Sequence, residues 1–127
     1  SSYVHVNNMT SSGDYAGQDL SGNGSAVTAA LQTTTRGGIW YLPNAGATAN
    51  VFGCCVYQFH DINSGKYKSV TAQMAEDMNG SGYAALTVST WKNTSPITEI
   101  DLTDDSGDNI AAGSKFSLFG ILPRMVA

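Results

Sequence analysis

Ala49-Asn-Val-Phe-Gly-Cys-Cys-Val-Tyr-Gln-Phe-His60 is almost wholly apolar and carries no charge before its last residue. A run of this length and composition reads as a β-strand covered on both faces. Asp61-Ile-Asn-Ser-Gly65 follows as a hairpin loop. The chain then returns over Tyr67–Asp77, where Tyr67, Ser69, Thr71 and Gln73 alternate with Lys68, Val70, Ala72 and Met74. Alternation of period two places the two sets on opposite faces of a strand.

Outward from this hairpin the punctuation recurs at short intervals. Downstream, Asn79-Gly80 and Gly82 mark a turn into a strand over Tyr83–Lys92, with Leu86, Val88 and Thr90 facing one way. Pro96 opens a strand over Ile97–Leu102, and Asp104-Asp-Ser-Gly-Asp-Asn109 is a polar turn. Upstream, Ile39–Leu42 is a short apolar stretch ended by Pro43-Asn-Ala-Gly46. Ser25–Thr35 fits a short helix by its Ala and Leu, or a strand by Thr33-Thr34-Thr35. Met9–Asn23 reads as a long loop or a weak edge strand, and Ser1–Val6 as a strand. Strands spaced this regularly define an all-β sandwich or barrel, a single domain over residues 1–127.

Composition excludes several functions. Charged residues are 13 % of the chain and the net charge is −4, with Arg36, Lys66, Lys68, Lys92, Lys115 and Arg124 scattered. No basic stripe exists to follow a phosphate backbone, so no nucleic acid is expected. No apolar run is long enough to insert across a membrane as a helix. Cys54 and Cys55 are adjacent. Neighbours on a strand point to opposite faces, so a disulfide between them is strained, and both read as small buried hydrophobes. A chain without a disulfide framework fits folding in a reducing cytoplasm.

Catalytic and metal patterns are weak. Asp104, Asp105 and Asp108 with Asn109 are hard oxygen ligands that invite calcium, but they lack the spacing of a helix-loop-helix site, and a β-turn explains them. His60-Asp61 needs further ligands to hold a metal. No serine sits in a Gly-x-Ser-x-Gly elbow. Glu76-Asp77 and Glu99/Asp101 could serve glycoside hydrolysis only at a defined carboxylate separation; a solvated strand face accounts for Glu99 and Asp101. Neither enzyme activity nor a cofactor is expected. Among Trp40, Tyr41, Tyr83 and Trp91, the first two read as core, and Trp91, beside Lys92 and Asn93, is the candidate for a surface role. Four Asn-x-Ser/Thr sequons begin at Asn8, Asn23, Asn79 and Asn93, as chance allows in such a composition.

The C-terminal stretch, Ile110-Ala-Ala-Gly-Ser-Lys-Phe-Ser-Leu-Phe-Gly-Ile121, reads as a turn at Gly113 feeding a closing strand. Phe116, Leu118 and Gly120 share one face, and Ser117, Phe119 and Ile121 the other, so burial on both sides is expected. This ending resembles small structural proteins of tailed bacteriophages, which often close on a "Gly-Ser, then Ser-Leu-Tyr-Gly-Ile" strand. Here Gly113, Ser114, Ser117, Leu118, Phe119, Gly120 and Ile121 carry the pattern, with Phe119 where Tyr is more usual. Trp91-Lys-Asn-Thr-Ser-Pro-Ile-Thr-Glu-Ile-Asp-Leu102 is similar to that family's penultimate strand. Phe59–Lys68 is similar to one of its hairpins, and Asn23-Gly-Ser25 to its small glycine-rich turn. The resemblance spans Ser11 to Ile121 and is most specific from Trp91 onward.

The resemblance implies a jelly-roll-like β-sandwich on the outside of a virion, as tail fibre, spike or capsid decoration, assembled in the cytoplasm of a bacterial host. It implies a homotrimer that contacts other virion proteins. Family members usually open with additional strands, so the start at Ser1 implies a processed or partial chain, its sheet completed by other residues or a neighbouring subunit. Host contact, with a surface glycan as one target, would fall to the loops Asn44–Asn50, Asn79–Tyr83 and Asp104–Asn109, with Trp91 and Asn93 as recognition residues. The alternative function is a free carbohydrate-binding, lectin-like module. A depolymerase fragment using Glu99 and Asp101 is a third.

Overall fold

The structure, a computed structural model, describes residues 2–32, 34–77, 80–104 and 107–122, except Tyr41; of Ile39 and Trp40 it describes the backbone alone. It is all-β. Eight antiparallel strands run β1 (Ser2–Val6), β2 (Tyr15–Gly22), β3 (Val27–Leu31), β4 (Gly37–Trp40), β5 (Phe52–Phe59), β6 (Lys68–Asp77), β7 (Gly82–Trp91) and β8 (Ile100–Asp104). They form a three-stranded sheet, β4-β1-β8, and a five-stranded sheet, β3-β2-β7-β6-β5, packed as a sandwich. Pairing of β1 with β8, and of β2 with β7, nests the first half of the chain against the second, giving a jelly-roll-like roll-up.

Left-handed turns make the connections. Asn7 and Asn8 both take positive φ after β1, and Asp61 does so after β5. Short polar side chains tolerate this conformation because they hydrogen-bond locally. In the β2–β3 hairpin the Asn23 side-chain oxygen accepts from the amides of Ser25 and Ala26, at 3.0 and 2.8 Å.

The core lies between the sheets. Val4 and Val6 of β1 meet Tyr15, Met74, Trp91 and Ile97. The alternation of β6 is as the sequence implies, with Lys68, Val70, Ala72 and Met74 inward. Three polar ties cross the sandwich. The Tyr15 hydroxyl accepts from the Val6 amide (2.8 Å) and donates to the Met9 carbonyl (3.0 Å). Ser89 Oγ accepts from the Gly38 amide (2.8 Å), and the Tyr57 hydroxyl donates to the Gly38 carbonyl (3.0 Å).

Several expectations need correction. Tyr15–Gly22 is not a loop or edge but an inner strand, held between β3 and β7 because Tyr15 anchors it in the core. Of the two readings left open for Ser25–Thr35, the strand is the one formed, over Val27–Leu31. The strand expected over Ile97–Leu102 begins at Ile100, with Ile97 buried ahead of it. Phe52–Phe59 is an end strand covered on one face only: Phe52 and Val56 are 78 % and 62 % exposed. Its apolar composition therefore does not signal two-sided burial.

The Gly113 turn is present, with φ +88° and the Ser114 amide donating to the Ala111 carbonyl at 3.2 Å. The closing strand is not. Residues 114–122 have no ladder partner among the described residues, and Leu118, Phe119, Ile121 and Leu122 are 83–91 % exposed. A strand apolar on both faces needs a sheet edge beside it and cover above and below, and residues 114–122 meet neither within their own copy.

Candidate functional site

The outer face of the five-stranded sheet is the outstanding surface. Strand register aligns its side chains in rows. Leu31, Gln18, Val88, Thr71 and Gln58 form one row; Ala29, Leu20, Leu86, Gln73 and Val56 the next; Val27, Gly22, Ala84, Ala75 and Cys54 the third. Phe52 opposes Asp77 beyond them. Leu20, Val27, Leu31, Phe52, Val56, Leu86 and Val88 are all exposed. No charged side chain lies within the three rows. Polar relief comes from neutral groups: Thr71 Oγ1 donates to Gln58 Oε1 at 3.3 Å and lies 3.2 Å from His60 Nε2.

This face arises because β7 reverses the usual sense of burial. Its inward residues are the small polar Thr87 and Ser89, and its outward ones are Leu86 and Val88. Strand β4 packs against β7 with Gly37 and Gly38, whose amide bonds Ser89 Oγ, so β4 lies close to the sheet there. A Cβ on Gly37 would lie 3.2 Å from the Tyr15 ring, and one on Gly38 2.7 Å from that of Tyr57. Five strands about 4.8 Å apart, each presenting side chains over about 20 Å, give a face on the order of 500 Å². Its apolar share, interrupted by Gln18, Gln58, Gln73 and Thr71, is of the size of the largest patch on ordinary monomers, which is often a functional surface.

The expected site residues fall elsewhere. Trp91 is fully buried, with the Lys68 Nζ 5.5 Å from its ring centroid, so it has no surface to offer a ligand. Trp91 is the inward residue of β7's last pair, opposite Lys68 and Tyr15, and that register carries it into the core. Lys68 Nζ donates to the Ser95 and Asn93 carbonyls at 2.6 and 3.3 Å, pinning the loop after β7. Asn93 is half-buried and occupied there: its side chain accepts from the Ser95 amide and donates to Met9 Sδ.

The carboxylates point to separate partners. Asp104 accepts from Ser2 Oγ at 3.0 Å, Asp108 from Asn44 Nδ2 at 2.9 Å, and Glu99 from Asn8 Nδ2 at 2.7 Å. Glu99 immediately precedes β8, and Asp101 lies within it opposite His5. Among the described residues no three His, Cys, Asp or Glu side chains gather as a metal site; Asp105, expected beside Asp104, lies outside them. Two expected recognition loops do meet: Asn44 bridges Ile110, and the Ala45 amide donates to the Asn109 carbonyl at 2.9 Å. Of the third, Asn79 lies outside the described residues, as does Tyr41 of the expected core.

The cysteines are free and split between environments. Cys54 is exposed on the outer face, contrary to the expectation of burial, because β5 is open on that side. Cys55 points inward, where burial, with Cys54 adding a smaller push, raises its thiol to about 12. Burial also raises the Tyr57 hydroxyl, which stays protonated to donate to Gly38. On the other sheet Arg36 lies 4.3 Å over the Tyr3 ring, and Tyr3 meets His5 edge-on at 5.0 Å. No helix here is long and apolar enough to cross a membrane.

The sequence contained a signal for the outer face: Leu86 and Val88 alternate with Thr87 and Ser89, so one set had to face outward. Which set did so was decided by β4. Compared with protein-family models, curated proteins and solved structures, the chain finds no match in any of the three.

Proposed function

We propose that the chain is a non-enzymatic structural component of a tailed-bacteriophage virion, exposed on the particle as tail fibre, spike or capsid decoration. The observation that supports this reading is the uncharged apolar outer face of the five-stranded sheet, which spans all five strands. Such a face is costly in water and gains free energy when covered by another subunit. The C-terminal residues that carry the resemblance to phage structural proteins add a second exposed apolar element. Copies of the chain are the partners, a homotrimer by resemblance, with other virion proteins around them. The adjoining loops at Asn44–Ala47 and Asp108–Asn109, rich in amides and carboxylates, are suited to contact a host glycan.

A free lectin-like module would use an exposed aromatic platform, and Trp91, the residue favoured for that role, is buried. The test is mass spectrometry of particles banded by density from a lysed culture of the host whose phage encodes the chain. Peptides of this chain are expected at stoichiometry with other structural proteins. Their absence from intact particles, with the chain recovered only in the soluble fraction, overturns the proposal.

A further inference from the structure

From the unpaired C-terminal segment and the open edge of β5, we infer that residues 115–122 of one copy add as a strand to β5 of a second copy. The inference concerns how copies join and does not depend on the particle to which they belong.

The segment has the composition of a strand and the surroundings of none. Phe116, Leu118 and Leu122 alternate with Phe119 and Ile121, and every one of them is exposed. Their backbone groups have no ladder partner among the described residues. Exposed backbone beside large apolar side chains is relieved by joining a sheet edge, where main-chain bonds give affinity and alternate side chains find cover.

β5 offers such an edge. It ends the five-stranded sheet and, among the described residues, pairs with β6 alone. Proteins protect edges with charge, proline, bulges or brevity. Phe52–Phe59 has no charged residue and no proline, its pairing with β6 is unbroken over eight residues, and segment 115–122 matches it in length. The other ends suit less well. β3 and β8 have five residues each, β8 with two aspartates, and β4 has four beside an irregular register.

The faces agree as well. β5 is apolar outward, through Phe52, Cys54 and Val56, and inward, through Cys55, Tyr57 and Phe59. A strand laid beside it needs apolar side chains on both faces, as the segment has. The segment's own copy leaves it solvent-exposed, so the receiving sheet belongs to another copy.

The test compares the 127-residue chain with its L118K/I121K variant. Both positions are 88 % exposed, so the charges leave the fold of each copy intact, which far-UV circular dichroism checks. Light scattering gives the mass, and hydrogen exchange gives the protection of those β5 amides that point away from β6. The wild type is expected to be a multimer with these amides at least about tenfold slower than in the variant, and the variant to lose mass. L118I/I121V is expected to behave as wild type. Three results overturn the inference: β5 amides that exchange equally fast in both proteins, a multimer unaffected by the lysines, or slow β5 amides in a monomer, which would mean the segment folds back on its own sheet. A multimer that survives the lysines leaves the outer face as its interface.

Discussion

Gly38 is the residue on which the sandwich closes. Its φ of +57° lies in the left-handed region, its amide and carbonyl both bond across to the five-stranded sheet, and the Tyr57 ring leaves no space for a Cβ. Alanine there meets both the left-handed penalty and a clash with a hydrogen-bonded ring. Gly38→Ala is expected to cost about 3 kcal/mol in urea unfolding; a cost below about 1 kcal/mol would show that β4 shifts freely. His5 supplies a pH dependence. Burial holds its imidazole below the ordinary 6.5, with Asp101 opposing and Arg36 adding to the shift. Between the folded and unfolded values the unfolded chain binds more protons, so stability is full above about 6.5 and declines as pH falls through the folded value. His5→Gln is expected to flatten that part of the stability profile, and an unchanged slope would contradict the assignment. None of this was legible in the sequence, where His5 is one residue of the Ser1–Val6 strand and nothing marks Gly38 as a point of contact.

At the scale of elements, legibility followed the inner face. β6 was readable because Val70, Ala72 and Met74 alternate inward as the rule for half-buried strands requires. β5 and the C-terminal segment misled for one shared reason. Apolar residues on both faces of a strand normally mean cover on both sides, but here β5 has cover on one face and the C-terminal segment forms no strand and is exposed. Composition alone does not tell how many faces of a strand the rest of the chain covers. β2 hid its place as an inner strand behind Gly17, Gln18, Asp19 and Ser21, because a Tyr15 anchor is invisible to periodicity. The outward placement of Leu86 and Val88 gives a prediction that separates face from core. L86T/V88T is expected to change the unfolding free energy of the dilute chain by no more than about 1 kcal/mol, since neither side chain enters the core. A loss of about 3 kcal/mol or more would place them inside it.

Among the described residues, two sheets of unequal size leave the larger with an uncovered apolar outer face and open ends, beside an exposed apolar C-terminal run. A low charge content gives little electrostatic repulsion to hold copies apart. The all-β sandwich was legible from turn spacing. The surface that matters was not, since it depends on which side of β7 the short sheet occupies. The most direct measurement is the mass of the chain in solution, by light scattering at micromolar concentration, beside that of L86T/V88T. The apolar face predicts a defined multimer for the wild type and a smaller species for the variant. A wild-type chain that stays monomeric and soluble up to hundreds of micromolar would contradict a role built on self-association.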